Sequence, residues 1–268
     1  MQVAFDKSKN TTRFVTRLRN SLRQDGLMRT LQRSARYPMN RLKHRWYYRM
    51  LDKSSPSEIF SAIYEQKLWA QNESVSGEGS TLAATENVRR ELPRLFEKFA
   101  IRSLFDAPCG DFYWMQHVVR ETGITYHGAD IVPPMIAKNN ETYGRGDIRF
   151  SVLDITRDPF PHADLWFCRD CLIHLSDRDV LAALTNFCAS GISYILTTTV
   201  PRESGIANCD IPTGQYREIN LYASPFNLPA DALTRLDDAA SGGELAMWSR
   251  EQVAAALPAM RRAITGGA

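Results

Sequence analysis

The sequence has no long hydrophobic stretch, because charged or polar residues interrupt every apolar run within a few positions. A helix needs roughly 20 mostly apolar residues to cross a bilayer, so we expect no membrane-spanning segment. Residues 1–20 also lack the apolar core found in secretory signals. We therefore predict a cytoplasmic protein.

Cysteine is scarce as well. The five cysteines are an odd number in a chain of 268 residues, which argues against a disulfide scaffold and agrees with a reducing compartment. Cys168 and Cys171 form one CxxC pair, but no second pair exists to complete a zinc site. We expect no metal site.

Two nucleotide-binding signatures are missing from the chain. Neither the glycine pattern G-x-G-x-x-G of dinucleotide-binding folds nor the P-loop pattern occurs. A Tyr-x-x-x-Lys pair is absent too. Together these absences disfavour a nicotinamide-dependent dehydrogenase.

Positive charge is concentrated at one end of the chain. Residues 1–53 contain 14 Lys and Arg against three Asp, a net charge of +11, whereas residues 54–268 carry a net charge of −8. Phe14, Leu18 and Leu22 recur every four positions between arginines, which indicates short basic amphipathic helices. Three interpretations of this extension stay open: a solvated arm, a contact with an acidic partner or the inner membrane surface, or a contact with nucleic acid.

Residues 54–268 have the composition and periodicity of a globular domain. The spacing of apolar residues predicts helices over Ser57–Ala70 and Thr81–Phe99, so residues 54–100 form a helical cap. For Ile59–Trp69, which includes Tyr64, Lys67 and Trp69, and for Gly77–Ser80, two interpretations are equally compatible with the sequence: a lid over a ligand, or plain packing on a sheet.

Short apolar runs alternate with helix-like segments over residues 101–200. The first three runs end on Asp106, Asp130 and Asp154, which are 24 residues apart, the length of a strand–helix–strand unit. This alternation predicts an α/β fold with a doubly wound, mostly parallel sheet. Ligands bind such sheets at the carboxyl ends of the strands, where we expect all three aspartates.

The segment after the first predicted strand has the features of a ligand-binding turn. Gly110 lets the backbone approach a ligand closely, and a helix is expected to begin near Asp111. Asp106 and Asp111 repel a pyrophosphate and favour a cation. Asp130 suits a ribose diol, and Asp154 suits an adenine amino group. Each aspartate also has a purely structural alternative, as a strand-end residue or a helix cap.

Four motifs together resemble class I S-adenosylmethionine-dependent methyltransferases. They are Leu104-Phe-Asp-Ala-Pro-Cys-Gly-Asp111, Gly128-Ala-Asp-Ile131, Val152-Leu-Asp-Ile155 and Ala163-Asp-Leu-Trp-Phe-Cys-Arg-Asp-Cys-Leu-Ile-His-Leu175. In the first motif, Pro108 and Phe112 stand where the family usually has glycine. The resemblance implies a Rossmann-like fold with a seven-stranded sheet and S-adenosyl-L-methionine (SAM) as cofactor.

The resemblance also implies roles for individual residues. The first turn contacts the methionine moiety, the second acid the ribose and the third acid the adenine, while the segment after the fourth strand flanks cofactor and substrate. The residues expected to bind the cofactor are Asp106, Ala107, Cys109, Gly110, Asp130, Ile131, Asp154, Ile155, Cys168 and Arg169.

Methyl transfer to a hydroxyl group needs a base. The candidate catalytic residues are Asp170, at the end of the fourth predicted strand, and His174, one helical turn later. His174 is equally compatible with a partly buried structural position. Arg169 has two alternatives, a clamp on an anionic group of the acceptor or an ion pair with Asp170 or Asp177.

A long irregular segment, residues 200–230, follows the fifth predicted strand. Loops of this length commonly bind substrate or act as lids, and here Tyr216, Arg217 and Asn220 offer contacts for a sugar or a phosphorylated metabolite. A structural cover over the sheet edge is the alternative. Residues 231–268 are predicted to complete the sheet.

These features predict a SAM-dependent methyltransferase that acts on a hydroxyl group of a saccharide or another small metabolite. The motifs also resemble a bacterial subgroup associated with polysaccharide biosynthesis. The Asn/Asp-Pro-Pro-Tyr motif of many N-methyltransferases does not follow the fourth strand, which disfavours nucleobase methylation. Two alternatives remain: an RNA methyltransferase that binds phosphates through residues 1–53, and a catalytically silent cofactor-binding module that binds a partner.

Overall fold

The computed structural model describes residues 54–70, 72–238 and 243–266. The chain divides into two compact units, Met1–Lys53 and Ser54–Ala268. The basic extension, with the helices and partner contacts expected of it, lies outside the described residues. The fold described below is that of the second unit.

Seven strands form a single sheet. They are β1 (Ser103–Asp106), β2 (Thr125–Asp130), β3 (Ile148–Val152), β4 (Leu165–Cys168), β5 (Tyr194–Thr199), β6 (Thr234–Asp238) and β7 (Gly243–Ser249). Their order across the sheet is β3-β2-β1-β4-β5-β7-β6. The pairs among β1 to β5 are parallel, and β7 is antiparallel to both β5 and β6. The predicted fold class is confirmed: a doubly wound, mostly parallel, seven-stranded sheet of the Rossmann-like methyltransferase type.

The sheet is buried on both faces, as β4 illustrates. Leu165 and Phe167 belong to one core cluster, and Trp166 and Cys168 belong to the other. All four side chains are buried. A continuous apolar sequence is what a central parallel strand requires, because both of its faces meet helices.

Six α-helices flank the sheet. They are α1 (Pro56–Glu65), α2 (Glu86–Lys98), α3 (Met115–Thr122), α4 (Pro133–Tyr143), α5 (Asp177–Ala189) and α6 (Arg250–Thr265). Apolar residues of α2, α3 and α4 join the core cluster that contains Phe167, and those of α5 and α6 join the cluster that contains Trp166. The sheet is therefore the middle of three layers.

Helix α1 is shorter than the sequence predicts. It begins at a capping box in which the Ser55 side chain accepts a hydrogen bond from the Glu58 backbone and the Glu58 carboxylate accepts one from the Ser55 backbone at 2.7 Å. It ends at Glu65 rather than Ala70, since Lys67 has φ of +52° and cannot continue an α-helix. Trp69 thereby leaves the helix and turns towards the carboxyl ends of the strands.

Two other predicted helix starts are wrong by several residues. Helix α2 begins at Glu86 instead of Thr81, because the Thr85 hydroxyl bonds the Thr81 carbonyl at 2.8 Å within a series of turns. Helix α3 begins at Met115 instead of near Asp111, whose side chain is occupied by a contact with a distant loop described below.

The predicted irregular segment between β5 and β6 is present. All of its residues are described, and its one regular element is the 3₁₀-helix Arg202–Ser204. Among the described residues, no helix has the length and apolar character that a bilayer crossing requires.

A substitution at Gly128 on β2 tests how tightly the side chains around the sheet are packed. A Cβ atom there lies 2.8 Å from Cδ1 of Phe150 and 3.0 Å from Cβ of Cys109. We expect Gly128→Ala to lower the free energy of unfolding by about 1–3 kcal/mol in urea denaturation, as overpacking does. Gly191→Ala is the control, since nothing lies within 4 Å of a Cβ there. Equal losses for the two variants would contradict the packing described.

Candidate active site

One cavity opens at the carboxyl ends of the parallel strands and is covered by α1, Trp69 and residues 75–80. Its empty space, counted out to the mouth, is about 1170 Å³, which suits a ligand larger than a simple metabolite. Most of the predicted cofactor-binding residues line it: Asp106, Cys109, Gly110, Asp130, Ile131, Asp154, Ile155 and Arg169. The structure thus brings together residues that are far apart in sequence.

Ala107 and Cys168, which were also expected to contact a cofactor, are not among the residues that line the cavity. Both are fully buried in the core. The Ala107 carbonyl accepts a hydrogen bond from Nε1 of Trp166 at 2.9 Å. The Cys168 carbonyl accepts one from the Thr197 hydroxyl at 2.8 Å. These residues hold the ends of β1 and β4 in place.

The turn after β1 is held by a loop from the cap. Gly110 has φ of +54°, and a Cβ atom there lies 2.3 Å from Oγ of Ser76. The Ser76 hydroxyl accepts a hydrogen bond from the Asp111 backbone at 3.0 Å, and the Asp111 carboxylate accepts one from the Val75 backbone at 2.8 Å. Glycine at position 110 therefore permits the approach of the cap loop as well as of a ligand.

Asp130, the last residue of β2, has spare acceptor capacity. Its Oδ1 accepts a hydrogen bond from the Val132 backbone at 3.1 Å, and its Oδ2 accepts one from the Gly110 backbone at 3.2 Å. Each carboxylate oxygen can accept a second bond. Burial raises the pKa of Asp130 to about 6, although these backbone donors oppose the shift.

Asp154 lies two residues beyond the end of β3. Its Oδ1 accepts hydrogen bonds from the Thr156 backbone at 2.9 Å and from the Thr156 hydroxyl at 2.6 Å. Its Oδ2 pairs with Arg157 at 3.2 Å. Asp154 therefore has a structural role after the strand end, as one of its two alternatives predicted. The same carboxylate also lines the cavity. The two roles are compatible because Oδ2 retains a further lone pair.

Asp106 is the most strongly perturbed carboxyl group of the cavity. It is buried, and its Oδ2 accepts a hydrogen bond from the Tyr126 hydroxyl at 2.6 Å. Burial raises the pKa of Asp106 to about 8; the bond from Tyr126 opposes this, and the charge of Asp130 adds to it. Near neutral pH, Asp106 is therefore largely protonated in the folded chain.

Arg169 is a buried guanidinium that joins three parts of the domain. Its Nε and Nη2 donate to the two carboxylate oxygens of Asp238, at the end of β6, at 2.7 and 3.0 Å. Its Nη1 donates to the Gly79 carbonyl at 2.9 Å and pairs with Asp170 at 3.1 Å. Of the two alternatives for Arg169, the structure shows ion pairing, with Asp170 and Asp238 but not with Asp177.

Asp170 lies at the rim of the cavity in an uncommon backbone conformation. Its φ is +53°, a left-handed value that non-glycine residues seldom adopt outside functional or turn positions. The Asp170 backbone donates to Oγ1 of Thr198 at 2.8 Å, and the Thr198 hydroxyl donates to Oδ1 of Asp170 at 3.3 Å. The carboxylate is therefore held in a defined direction beside the cavity.

His174 lies on the 3₁₀-helix Leu172–His174, outside the cavity wall itself. Its Nδ1 is 2.9 Å from the Gln215 carbonyl, which can only accept, so Nδ1 carries the proton and Nε2 the lone pair of the neutral ring. Burial lowers the pKa of His174, and the Gln215 carbonyl and the Asp170 charge oppose that shift. The ring stacks on Trp69, which does line the cavity, with centroids 4.6 Å apart.

The three residues predicted to bind substrate from the loop after β5 differ in placement. Tyr216 is 61% exposed and lies beside His174. Arg217 is buried, pairs with Asp177, and donates to the Leu175 carbonyl at 3.0 Å. The buried Asn220 donates to the Ile206 carbonyl at 3.0 Å and accepts from the Tyr222 backbone at 3.1 Å. In the structure, Arg217 and Asn220 are buried and bond other parts of the loop and its neighbours, whereas Tyr216 is exposed; their contact with substrate stays a prediction.

Sequence reasoning assigned no cavity role to several residues that complete its apolar wall. They are Phe60, Trp114, Met135 and Leu153. Tyr64 and Trp69 were noted only as parts of a possible lid. The sequence does not show the direction of these side chains, because a helical pattern of apolar residues does not indicate whether they face a sheet or a cavity.

The central part of the chain matches a known family. Residues 105–190 match the family described as a methyltransferase domain. This region contains the first turn, the three strand-end aspartates and the Asp170–His174 segment. No curated protein sequence matches the chain.

Two solved structures have a similar fold. Human N-acetylserotonin methyltransferase, in complex with SAM, is 15% identical with a TM-score of 0.50; the match covers 74% of this chain but only 60% of the human chain. The N-methyltransferase NodS from Bradyrhizobium japonicum WM9, in complex with S-adenosyl-L-homocysteine (SAH), is 14% identical with a TM-score of 0.50, over 70% of this chain and 97% of that one. At such identities the likeness establishes the fold alone.

The raised pKa of Asp106 has a consequence for stability. The pKa of an aspartate in the unfolded chain is near 3.8, and that of Asp106 in the folded chain is about 8. Between these pH values the unfolded state binds fewer protons than the folded state. The stability of the fold therefore decreases as the pH rises from about 4 to about 8. Asp106→Asn keeps an acceptor for Tyr126 and removes the charge. We expect it to raise the melting temperature by ~2–4 °C at about pH 8.5, roughly 1 kcal/mol, and by less at about pH 5.

Differential scanning fluorimetry at the two pH values measures this shift. Asp147→Asn, on an exposed side chain, is the matched control. A gain that is the same at both pH values, or that the control reproduces, would show that the effect does not come from the buried charge.

Proposed function

We propose that this chain is a SAM-dependent methyltransferase that methylates a hydroxyl group of a saccharide or another small metabolite. One observation carries the proposal: carboxylates at the ends of three adjacent strands, Asp106, Asp130 and Asp154, open into one cavity beside a glycine turn. The match of residues 105–190 to a methyltransferase domain supports it.

The cavity suits an adenosine. The Asp130 carboxylate accepts from the backbones of Val132, Gly110 and Ile131 and keeps acceptor capacity for the ribose. Oδ2 of Asp154 can accept from an exocyclic amino group. Apolar side chains near Asp130 and Asp154 can pack against the two faces of a planar base. They are Ile131, Met135, Leu153 and Ile155.

The charge of the cavity suits a cation. Five carboxyl groups line it, and Arg169 is the one basic side chain among the described residues of the lining. Arg169 is already paired with Asp170 and Asp238. Asp154 is paired with Arg157, and Asp106 is largely protonated near neutral pH. Among the described residues, the negative charge without a paired cation is therefore that of Asp111 and Asp130. A ligand with a positively charged sulfur reduces that imbalance, whereas a pyrophosphate increases it. The five groups are Asp106, Asp111, Asp130, Asp154 and Asp170.

When bound, SAM supplies an electrophilic methyl group on a positively charged sulfur. The chain itself contributes position and exclusion of water. The cap places Phe60, Tyr64 and Trp69 across the cavity opposite the strand ends, so reacting groups are enclosed by aromatic rings rather than solvent.

His174 and Asp170 are the two candidates for the base, and of the two Asp170 lines the cavity. The hydrogen bond from Nδ1 of His174 to Gln215 leaves Nε2 free to accept a proton from a hydroxyl group. The lowered pKa keeps that ring neutral near pH 7. Asp170 is bound to Thr198 and Arg169, so its carboxylate can accept a hydrogen bond from the acceptor without moving.

Two finer proposals depend on the sequence alone. We propose a role in polysaccharide biosynthesis, on the strength of the motif resemblance. We also propose that residues 1–53 bring the enzyme to an acidic partner or to the inner membrane surface, because of their net charge of +11.

Asp130→Asn tests the cofactor site. Replacement of the carboxylate weakens two charge-assisted hydrogen bonds to the ribose, so we expect the affinity for SAH to fall ~10- to 100-fold in isothermal titration calorimetry. Asp147→Asn, which removes an exposed carboxylate, should leave the affinity unchanged. No heat with either SAM or SAH for the unaltered chain would refute the proposed function.

Methyl transfer itself is measured with SAM that carries a tritiated methyl group. Label should move to neutral saccharides in an acceptor panel. Transfer to RNA but to no saccharide would contradict the proposed substrate class. Cofactor binding without transfer to any acceptor class would favour a catalytically silent protein.

A further inference from the structure

Three aromatic rings form a continuous row at the rim of the cavity. Trp69 stacks on His174 with centroids 4.6 Å apart, and Tyr216 follows with its centroid 5.9 Å from that of His174. Trp69 lines the cavity, whereas Tyr216 is largely exposed. The row, which we call the aromatic row, therefore runs from the proposed cofactor cavity out to solvent.

The exposed ring of Tyr216 is held by a fixed backbone. On one side the Gly214 backbone donates to the His174 carbonyl at 2.7 Å, and on the other the Arg217 backbone donates to the Ile173 carbonyl at 3.0 Å. The neighbouring Arg217 is buried and ion-paired. A large ring that is exposed on a rigid segment is a pre-organised binding surface, because little conformational entropy is lost when a ligand stacks on it.

A small groove continues from the row along the end of β5. Ile173, Thr198, Tyr216 and Glu218 are among its lining residues. The Thr198 hydroxyl also bonds Asp170, so the groove adjoins the carboxylate at the cavity rim. Burial raises the pKa of Tyr216, and the charges of Glu218 and Asp170 add to this shift.

We propose that the aromatic row and this groove form the acceptor subsite, and that it takes an uncharged sugar ring. The inference rests on the proposed function and specifies its substrate. An aromatic face stacks on the C–H face of a sugar, and carboxylates accept hydrogen bonds from sugar hydroxyls. Tyr216 supplies the face, and Glu218 and Asp170 supply the acceptors.

The charged residues around the groove favour a neutral sugar over an anionic acceptor. Within the described lining of the groove there is no Lys or Arg. The buried guanidinium groups of Arg169 and Arg217 are ion-paired with Asp238 and Asp177. A phosphate or carboxylate group in the groove meets Glu218 and Asp170 instead, which is unfavourable at short range. This disfavours phosphorylated sugars, uronic acids and RNA.

Saturation-transfer difference NMR on the full chain with SAH tests the subsite without turnover. The probes are methyl α-glucopyranoside, methyl α-mannopyranoside and maltotriose, with glucose 6-phosphate and glucuronate as anionic counterparts. We expect enhancements on the ring C–H protons of at least one neutral probe and weaker ones for the anions. Tyr216→Ala should reduce the enhancement ~3- to 10-fold, the contribution of one aromatic contact, and Tyr216→Phe should retain most of it.

Glu218→Gln tests the charge argument. It should raise the signal of glucose 6-phosphate relative to that of the neutral probes. Glu121→Gln, on an exposed residue of α3, removes the same charge elsewhere and should change neither signal. Because Tyr216 and Glu218 are exposed, none of these variants should alter the melting temperature.

Three outcomes would overturn the inference: no enhancement for any neutral sugar, equal enhancement for the anionic probes, or an unchanged signal in Tyr216→Ala. Calorimetry with SAH on the same samples distinguishes failure of the acceptor subsite from failure of the proposed function. Binding of SAH without sugar enhancement rejects the acceptor subsite alone. Absence of SAH binding rejects the proposed function, whatever the sugars show.

Discussion

Negative charge buried at the carboxyl ends of parallel strands is the constraint on which this site depends. A carboxylate withdrawn from water is unstable unless it is protonated, hydrogen-bonded or paired. The chain uses all three solutions side by side. Asp106 is driven towards its neutral form, Asp130 accepts backbone hydrogen bonds, and Asp170 shares Arg169 with Asp238. The charge that remains without a paired cation is negative, and the proposed function uses it to favour a cationic ligand.

The parallel topology explains why these carboxylates meet. Strands of one direction end at the same edge, so a repeat of 24 residues in sequence becomes a row of side chains in space. Arg169 then ties this edge to the cap through Gly79 and to the antiparallel end of the sheet through Asp238. One guanidinium thus fixes the positions of the cover, the cavity rim and the last strands relative to one another.

The sequence predicts the fold well because its signals are local: short apolar runs, strand-end acids and a regular spacing. It predicts less of the site because the remaining contacts are long-range or directional. The pairing of Arg169 with Asp238, 69 residues later, leaves no local pattern. Trp69 was placed on a helix, and only the left-handed backbone at Lys67 turns it to the cavity. Arg217 has the residue type of a ligand contact but points inward, and residue type carries no information about direction.

The inward direction of Arg217 also explains why the acceptor side of the site can be rigid without regular structure. A loop that lacks a strand ladder must satisfy its backbone groups by other means. Here side chains do so: Arg217 donates to the carbonyls of Cys209 and Leu175, and Asn208 donates to those of Asn220 and Ser224. The buried polar residues of the loop are therefore its scaffold, and Tyr216 is the large aromatic residue that this scaffold leaves exposed. In the proposed function, cofactor contacts come from the strand ends and acceptor contacts from this loop, so substitutions in the loop can alter substrate choice without disturbing the cofactor site.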